Sequence, residues 1–382
     1  MIPKANRLQS VQEYYFSHKL REIQQLKAAG KLIINLGIGS PDLTAAPEVL
    51  KALTKATVLP NATQYQSYQG IPELRSAISQ FYQHHFKVDL NPSTEILPLM
   101  GSKEGIMHIS MAFLNDGDEV LIPNPGYPTY TSVTQLIGAI PTMYELTEAN
   151  GWFPDLESLA QQDLSKVKLM WVNYPHMPTG ATVTRLQWQQ LVNFARKHQI
   201  LIVNDNPYSF ILNDTPNSIL QVAGAHEVAL ELNSLSKTFN ISGMRVGMVM
   251  GAASYIEAIL QVKSQMDSGM FLGIQHSAIA ALQLETSWFI NLNKIYKERR
   301  LLVWKLLDVL QCSYHKNTAG LFVWAKLPNG GDGEQFTDEL LHRFGVFITP
   351  GMVFGNAGQQ YIRVSLCANQ DDLKEVIHRL TT

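Results

Sequence analysis

The sequence predicts an α/β fold in which a large domain, with a mostly parallel central sheet flanked by helices, is joined to a smaller α+β domain. Short apolar runs of strand length alternate with segments in which apolar residues recur at helical spacing. Polar segments containing glycine and proline follow the apolar runs, as expected at strand ends. The C-terminal region changes to one long amphipathic helix followed by alternating strand patterns. Repeated strand–helix–strand order favours parallel pairing, and the change of pattern marks the second domain.

Four apolar runs predict the central sheet. Between two of them, the segment Arg185–His198 has apolar residues at helical spacing and is predicted to be a crossover helix. Such crossovers connect neighbouring parallel strands. The predicted strands are Val120–Ile122, Leu169–Val172, Leu201–Val203 and Val228–Leu230.

The C-terminal region supplies the elements of the smaller domain. A long helix is predicted over Thr286–Val309 and a final helix over Asp371–Leu380, with strands at Gly320–Trp324 and Tyr361–Leu366 between them. The N-terminal segment precedes the first unit of the large domain, and we expect it to pack with this region. We therefore predict a large domain over residues 44–275 and a small domain built from residues 1–43 and 276–382.

Composition limits the classes of protein to which the chain can belong. Its 382 residues are 46% hydrophobic and 16% charged, which allows a large core and argues against disorder. A net charge of -2 without a long basic run gives nucleic-acid binding little support. The two cysteines, Cys312 and Cys367, suggest neither a disulfide framework nor a metal cluster, which is typical of a reducing compartment. Since the sequence has neither a signal-peptide core nor an apolar stretch of about 18 residues, we expect a cytoplasmic protein without a membrane span or a bound metal.

A lysine surrounded by small and hydroxylated residues is the most informative feature of the chain. Lys237 lies in the segment Asn233–Phe239, between two apolar runs, and Arg245 follows eight residues later. A lysine that is desolvated or close to another cation can lose its proton, and the neutral amine forms Schiff bases with aldehydes. The segment predicts a carbonyl cofactor held covalently by Lys237, with Arg245 near its phosphate. Because an isolated lysine is more often a solvated surface charge, this prediction depends on the rest of the chain.

Polar segments also follow the other predicted strands, where ligands of parallel sheets bind. Asp205 either caps a loop or, as a buried acid, pairs with a protonated ring nitrogen such as that of pyridoxal phosphate. Tyr208 is either a half-buried core aromatic or a donor to the phenolate oxygen of that cofactor. The four strand-end segments are residues 123–127, 173–180, 204–208 and 233–239, and their convergence is the main argument for a cofactor site.

Three further positions could bind ligand groups. Gly101, Ser102 and Lys103 begin a helical run, where backbone N–H groups and the helix dipole favour a phosphate, although an ordinary helix cap has the same pattern. Tyr127, in a rigid turn of prolines and glycine, is either a loop tyrosine or a ring that stacks on the cofactor. Arg363 lies within an alternating strand and needs a partner, which is either a structural carboxylate or the carboxylate of a substrate.

Gly37 and Gly39 follow an apolar run and resemble the start of a dinucleotide-binding fingerprint. The third glycine of the fingerprint is missing, and Pro41 and Pro47 interrupt the helix that should follow. We therefore reject a nicotinamide-dependent dehydrogenase.

Taken together, the motifs resemble those of the class I/II, fold-type I, pyridoxal-phosphate-dependent aminotransferases. The resemblance covers nearly the whole chain, and the order and spacing of the motifs are far more specific than any one of them. The matching segments are Gly37–Asp42, Tyr65–Arg75, Gly101–Gly105, Pro123–Pro128, Asn173–Gly180, Asp205–Tyr208, Ser234–Lys237 and Pro350–Gly355.

The resemblance implies pyridoxal 5'-phosphate as cofactor and a role for each matching residue. Lys237 would be the Schiff-base lysine and the acid–base that moves the substrate's proton, Asp205 would hold the pyridine nitrogen, and Tyr208 would donate to the phenolate oxygen. Gly39 would line the substrate entrance, and Arg363 would bind the substrate's α-carboxylate. Further cofactor contacts are implied for Gly101, Ser102, Lys103, Tyr127, Asn173, His176, Ser234, Ser236 and Arg245, and for Tyr65, which would reach the cofactor of the neighbouring subunit in a homodimer.

The chain departs from the family pattern at Met177. Relatives usually carry an asparagine there that donates to the phenolate oxygen, whereas a thioether cannot donate. Either His176 turns inward to replace the donor, or Tyr208 acts alone. We predict that the cofactor's imine with Lys237 is less acidic than in relatives with asparagine.

The resemblance implies transfer of an amino group from an L-amino acid to a 2-oxo acid in a ping-pong cycle. A pyridoxal-phosphate-dependent lyase acting by C–S β-elimination, or a decarboxylase, would share every cofactor contact. A non-catalytic binding protein of the same fold is disfavoured by the presence of Lys237 and Arg363. Residues 263–271 resemble the diaminopimelate- and alanine-type branch and contain no arginine for a second substrate carboxylate, which disfavours a dedicated aspartate enzyme.

Overall fold

The computed structural model describes residues 2–11 and 13–382 and divides into one large sheet and two small ones. The strands are β1 (Ile34–Asn35), β2 (Ile96–Leu99), β3 (Glu119–Asn124), β4 (Ile140–Glu145), β5 (Val167–Val172), β6 (Leu201–Asp205), β7 (Ala229–Ser234), β8 (Gly247–Gly251), β9 (Ser313–Tyr314), β10 (Phe322–Lys326), β11 (Val346–Phe347), β12 (Thr349–Pro350) and β13 (Tyr361–Ser365). The helices are α1 (Tyr15–Ala28), α2 (Pro47–Thr57), α3 (Pro72–Phe86), α4 (Ser102–Phe113), α5 (Pro128–Leu136), α6 (Leu156–Leu159), α7 (Arg185–His198), α8 (Ala225–Val228), α9 (Leu235–Thr238), α10 (Ala253–Lys263), α11 (Leu272–Leu282), α12 (Thr286–Val309), α13 (Gly333–Phe344) and α14 (Gln370–Thr381).

The large sheet has seven strands in the order β2-β8-β7-β6-β5-β3-β4. Pairing is parallel from β7 through β6, β5 and β3 to β4, whereas β8 runs antiparallel to both β7 and β2. The predicted α/β class with a mostly parallel central sheet is therefore confirmed, and the connection between β7 and β8 supplies the exception.

Burial on both faces explains why the central strands are nearly continuous apolar runs. In β5, Met170 and Val172 pack into the core on one face of the sheet, while Leu169 and Trp171 pack into the core on the other. Successive side chains of a strand point to opposite faces, so a strand covered on both sides needs apolar residues at every position.

The C-terminal region forms a separate four-stranded sheet in the order β12-β13-β10-β9. The N-terminal segment joins it in two ways. β1 pairs in parallel with β11, and the buried Lys19 of α1 forms an ion pair with the exposed carboxylate of Asp338 on α13 over 2.8 Å. Both contacts tie the N-terminal segment to the C-terminal region.

The parallel strands of the large sheet end at one edge, and polar residues lie at that edge. Asn124 ends β3, Asn173 follows β5, Asp205 ends β6 and Ser234 ends β7. Carboxyl ends of parallel strands are where open α/β sheets bind ligands. None of the helices in the described part of the chain is both long and apolar enough to cross a membrane.

Candidate active site

A cavity of about 360 Å³ lies at this edge of the sheet, and most of the residues predicted from the sequence line it. Three do not: Gly101, His176 and Tyr65 lie outside the lining. The predicted residues that line the cavity are Gly39, Ser102, Lys103, Tyr127, Asn173, Asp205, Tyr208, Ser234, Ser236, Lys237, Arg245 and Arg363.

Lys237 lies on the short helix α9, directly after β7. The hydroxyl of Ser234 accepts a hydrogen bond from the backbone N–H of Ser236 over 3.2 Å and begins the helix. The amine of Lys237 donates to the carbonyl of Gly39 over 2.7 Å. Burial lowers the pKa of Lys237, and the cations of Arg363 and Arg245 lower it further, against the opposing influence of Cys367. The site therefore shifts the amine of Lys237 toward its neutral form, which is the nucleophilic one.

Asp205 is buried, with 5% of its surface exposed, and its two carboxylate oxygens differ. Oδ2 accepts a hydrogen bond from the hydroxyl of Tyr130 over 2.8 Å, while Oδ1 is buried without a hydrogen-bond partner in the described structure. Burial raises the pKa of Asp205 to about 7, although the Tyr130 hydrogen bond opposes this effect. A buried carboxylate oxygen of this kind requires a donor, and the protonated ring nitrogen of pyridoxal phosphate is such a donor.

An anion-binding cradle forms where α4 begins. Gly101 precedes the helix with φ of 88°, and a Cβ atom there would lie 2.1 Å from a guanidinium nitrogen of Arg245. Arg245 donates to the carbonyl of Ser242 over 3.0 Å and to the hydroxyl of Ser236 over 3.4 Å. Ser102 exposes the first N–H groups of the helix to the cavity, where the helix dipole favours negative charge. These residues fit the phosphate group of the cofactor.

Aromatic and amide groups complete the region around Asp205. The ring of Tyr127 lies edge-on to Tyr130, with 5.6 Å between ring centroids. Burial raises the pKa of Tyr208, so its hydroxyl stays protonated and can donate. The side-chain amide of Asn173 donates to the backbone carbonyl of Asp205 and accepts from the N–H of Met177 over 2.9 Å. Asn173 therefore holds the ends of two neighbouring segments in place.

Arg363, on β13, is buried without a carboxylate partner in residues 2–11 and 13–382. Its guanidinium donates to the carbonyl of Gly37 over 2.8 Å and to the sulfur of Met177 over 3.3 Å, while Nε has no partner. The ring centroids of Phe322 and Phe354 lie 3.9 and 4.5 Å from the guanidinium carbon. Burial lowers the pKa of Arg363 to about 10, which leaves it charged near neutral pH. A charged, buried arginine of this kind can bind the carboxylate of a ligand.

His176 is buried and does not line the cavity. Its Nδ1 lies 2.8 Å from the hydroxyl of Thr179, and burial lowers its pKa to about 3. Met177 lines the cavity instead, so Tyr208 is the side chain at this end that can donate to a phenolate oxygen. Tyr65 is 91% exposed and lies outside the cavity of its own chain.

Several residues of the lining were not predicted from the sequence. Tyr130 follows Tyr127 by three residues, but its contact with Asp205 depends on how α5 packs against the sheet. Tyr14 and Phe16 come from the N-terminal segment, which the sequence links to the cavity by no motif. The other lining residues of this kind are Ile38, Ser40, Pro207, Ser242 and Phe322.

This fold and this constellation of lysine, acid, phosphate cradle and free arginine define a pyridoxal-phosphate-dependent transferase of fold type I. The chain belongs to the aminotransferase class I and II family, whose model matches residues 31–380. The predictions of this family, of the pyridoxal phosphate cofactor and of amino-group transfer from an amino acid to a 2-oxo acid are thereby confirmed.

Named relatives agree with this assignment. The chain is 41% identical over 381 residues to an LL-diaminopimelate aminotransferase of Natranaerobius thermophilus, covering 99% of each chain. It is 39% identical over 379 residues to an LL-diaminopimelate aminotransferase of Desulforudis audaxviator, covering 99% of this chain and 97% of the relative. The substrate-bound structure of BacF from Bacillus subtilis matches with a TM-score of 0.95 and 34% identity, covering 100% of this chain and 97% of that one.

Proposed function

We propose that Lys237 is the residue that binds the cofactor covalently and moves the proton at the substrate's α-carbon. Pyridoxal phosphate, when bound, supplies the aldehyde and an electron sink for this chemistry. The lowered pKa of Lys237 and its place in the cavity support this role. Asp205 would accept a hydrogen bond from the ring nitrogen, and Tyr208 would donate to the phenolate oxygen. The cofactor phosphate would bind Ser102, Ser234, Ser236 and Arg245, with Tyr127 against the ring.

Replacement of Lys237 tests this role. Lys237→Ala should leave no cofactor adduct that borohydride can trap at full occupancy, because the variant lacks the amine proposed to form the imine. The measurement is the mass of the intact chain after reduction, with the parent protein as control. An adduct retained at full occupancy in the variant would remove Lys237 from this role.

The observation that supports an amino-acid substrate best is Arg363, which lies in the same cavity as Lys237 and lacks a carboxylate partner in the described residues. We propose that its guanidinium binds the substrate's α-carboxylate. Phe322 and Phe354 hold the guanidinium plane from the sides, and its contacts with Gly37 and Met177 leave Nε without a partner. A bidentate carboxylate would supply the charge that the site lacks. Gly39 would lie at the entrance, beside Lys237.

The proposed amino donor is LL-diaminopimelate or another amino acid with a charged group at the far end of its side chain. The similarity of the chain to LL-diaminopimelate aminotransferases suggests this substrate. Lys103 gives physical support, because its ammonium lines the cavity 5.1 Å from the ring centroid of Tyr14. It could bind the second carboxylate of such a substrate.

Apolar side chains in the lining favour a second candidate, an aromatic or aliphatic amino donor. Phe16, Ile38 and Phe322 surround the substrate side of the cavity. Among the described residues, Arg245 and Arg363 are the arginines of the lining, and the cradle accounts for Arg245. A short dicarboxylate such as aspartate has the least support.

A donor panel decides between these substrates. LL-diaminopimelate, phenylalanine, alanine and aspartate would be mixed with the cofactor-loaded protein, and the conversion of the cofactor to its amine form would be followed by absorbance. Lys103→Met should weaken apparent binding of LL-diaminopimelate about tenfold and leave phenylalanine unchanged, since one charged contact is lost. Equal effects on both donors would contradict the role of Lys103. Pyruvate and ammonia formed without cofactor conversion would favour the lyase.

We also propose a homodimer in the cytoplasm, with active sites shared between subunits. Several large apolar side chains of residues 44–275 are exposed, among them Val58, Tyr65, Met266 and Phe271. Two unpaired cysteines support a reducing compartment. Light scattering of the purified protein would measure its mass, and a monomer at micromolar concentration would contradict the dimer.

A further inference from the structure

Tyr130 lies beneath the cavity, on α5, and is fully buried. Its hydroxyl donates to Oδ2 of Asp205 over 2.8 Å. Its ring stacks on Trp171 of β5, with 4.8 Å between centroids and 4° between planes. The stacking fixes the ring, so the hydroxyl presents its proton to Asp205 from a constant direction.

The hydrogen bond from Tyr130 engages one carboxylate oxygen of Asp205 and leaves the other available to a ligand. The terminal torsion of an aspartate is broad, so a carboxylate without partners would sample many orientations. With Oδ2 engaged, Oδ1 remains as the free acceptor beside the cavity. Tyr130 also lies edge-on to Tyr127 and lines the cavity itself. It therefore contacts both of the groups proposed to face the cofactor ring.

We propose that Tyr130 is a positioning residue that orients Asp205 toward the ring nitrogen of the cofactor and stabilises its carboxylate form. A hydrogen bond to the charged form of an acid favours that form. Without such a hydrogen bond, burial favours the neutral acid over the carboxylate. A neutral acid cannot stabilise the protonated, cationic form of the ring nitrogen. The opposing interpretation is that Tyr130 is a core aromatic that uses Asp205 to satisfy its hydroxyl.

A pair of cofactor probes separates these two interpretations. Tyr130→Phe removes the hydroxyl and keeps the ring. Dissociation constants would be measured by fluorescence quenching of the cofactor-free protein with pyridoxal phosphate and with its carbocyclic analogue, in which a C–H group replaces the ring nitrogen. The variant should bind pyridoxal phosphate about tenfold more weakly, because a hydrogen bond to a charged group is lost. It should bind the analogue as tightly as the parent does, because the analogue makes no bond to Asp205.

Each other outcome overturns the proposal. Equal weakening for both probes would show that Tyr130 only maintains the shape of the core, and no weakening for either would show that its hydroxyl has no effect on the cofactor. Asp205→Asn supplies an independent measurement: in that background, Tyr130→Phe should no longer change the affinity for pyridoxal phosphate. A tenfold change that persists there would mean that Tyr130 does not act through Asp205.

Tyr144 offers a matched control. Its buried hydroxyl donates to the carbonyl of Trp171 over 2.7 Å, one strand away from Asp205, and it does not line the cavity. Tyr144→Phe removes a buried phenol hydrogen bond of the same kind. It should leave both dissociation constants unchanged. If it weakened pyridoxal phosphate alone, as expected of Tyr130→Phe, the effect could not be assigned to the contact with Asp205.

Discussion

Two charged residues of the cavity have buried polar atoms that lack a hydrogen-bond partner in the described chain. Asp205 has a buried oxygen without a partner, and Arg363 is a buried cation without a carboxylate in the described chain. Burying a charge without its partner costs free energy, so the cofactor-free protein carries a destabilised site. Binding of the cofactor and substrate relieves that cost, which couples ligand affinity to the stability of the fold.

The raised pKa of Asp205 predicts a pH-dependent change in the stability of the cofactor-free protein. Its folded pKa of about 7 lies above the ordinary value of 3.8, so this residue's contribution to stability is lost as the pH rises through that window. Asp205→Asn should therefore make the cofactor-free protein more stable at pH 8 by a few kcal/mol while making little difference at pH 4. Thermal denaturation at both values would measure this. A variant less stable than the parent at pH 8 would contradict the prediction, and its affinity for pyridoxal phosphate should fall in every case.

Met177 offers a test of the missing donor. Met177→Asn restores a donor near the phenolate oxygen and should lower the pKa of the cofactor's covalent link to Lys237 by roughly one unit, because the deprotonated state gains a hydrogen bond to its anionic oxygen. An absorbance titration of the bound cofactor would measure it. Met177→Leu keeps the volume without adding a donor and should titrate like the parent. Identical curves for the asparagine variant and the parent would refute the prediction.

Among single residues, the sequence motifs predicted the cavity residues that have reactive or charged groups. They did not predict residues that reach the cavity only through the packing of helices on the sheet. Lys237, Asp205 and Arg363 lie in ordered motifs, and the structure places them around one cavity. Tyr130 is part of no catalytic motif, since its contact with Asp205 arises only when α5 packs on the sheet. The sequence left open whether His176 lines the cavity. In the structure its ring contacts Thr179 of the same turn, and the sequence pattern does not distinguish this contact from one with a ligand.

Elements bring these residues together through the edges of two sheets. The crossover helix at Arg185–His198 and the long helix at Thr286–Val309 were predicted with the bounds that the structure has, because both have clear apolar periodicity. The start of β7 differs by one residue, since Val228 ends the short helix α8. The direction of β8 could not be predicted, because an apolar run of strand length carries no sign of its orientation.

The segment that follows β1 is held in place beside the cavity by a contact with helix α12. Arg299 of α12 is buried and forms a paired contact with both oxygens of Asp42, over 2.6 and 2.8 Å, and it also donates to the carbonyl of Leu366. The same segment carries the carbonyls of Gly37 and Gly39, which accept from Arg363 and Lys237. The contact therefore fixes the segment that carries both of these carbonyls.

Asp42→Asn should weaken this clamp. The buried guanidinium of Arg299 would lose its charged partner, which should cost about 2 kcal/mol of stability and raise the KM for the amino donor. Chemical denaturation of the cofactor-loaded protein and steady-state kinetics would measure the two effects. Glu339→Gln, which removes the exposed partner of Arg343 on α13, should cost less than about 0.5 kcal/mol. Equal losses in both variants would contradict a special role for the Asp42 contact.

At the scale of the whole molecule, one subunit leaves two features unexplained. Tyr65 belongs to the family's motif set, yet its side chain is almost fully exposed and outside its own cavity. The backbone of Gln66, next to Tyr65, also lies against Gly269, two residues from the exposed side chain of Phe271. Both features follow if a second copy of the chain covers this surface with two-fold symmetry, because the tyrosine of each subunit then meets the cavity of the other.

Mixing two inactive variants tests that arrangement. Lys237→Ala removes the lysine proposed to bind the cofactor, and Tyr65→Ala should impair the phosphate site that the tyrosine is proposed to complete. If Tyr65 acts across the interface, a mixed dimer has one site with both residues intact and one with neither. Equal amounts of the two variants, unfolded and refolded together, should then regain about a quarter of the parent activity at limiting pyridoxal phosphate, because half of the dimers are mixed and each has one working site. If Tyr65 acts within its own chain, every site lacks one residue and the mixture stays as inactive as its components. Refolding each variant alone is the control for activity regained without subunit exchange, and light scattering would verify that the mixture is dimeric, so that a failure to regain activity counts against the shared site rather than against assembly.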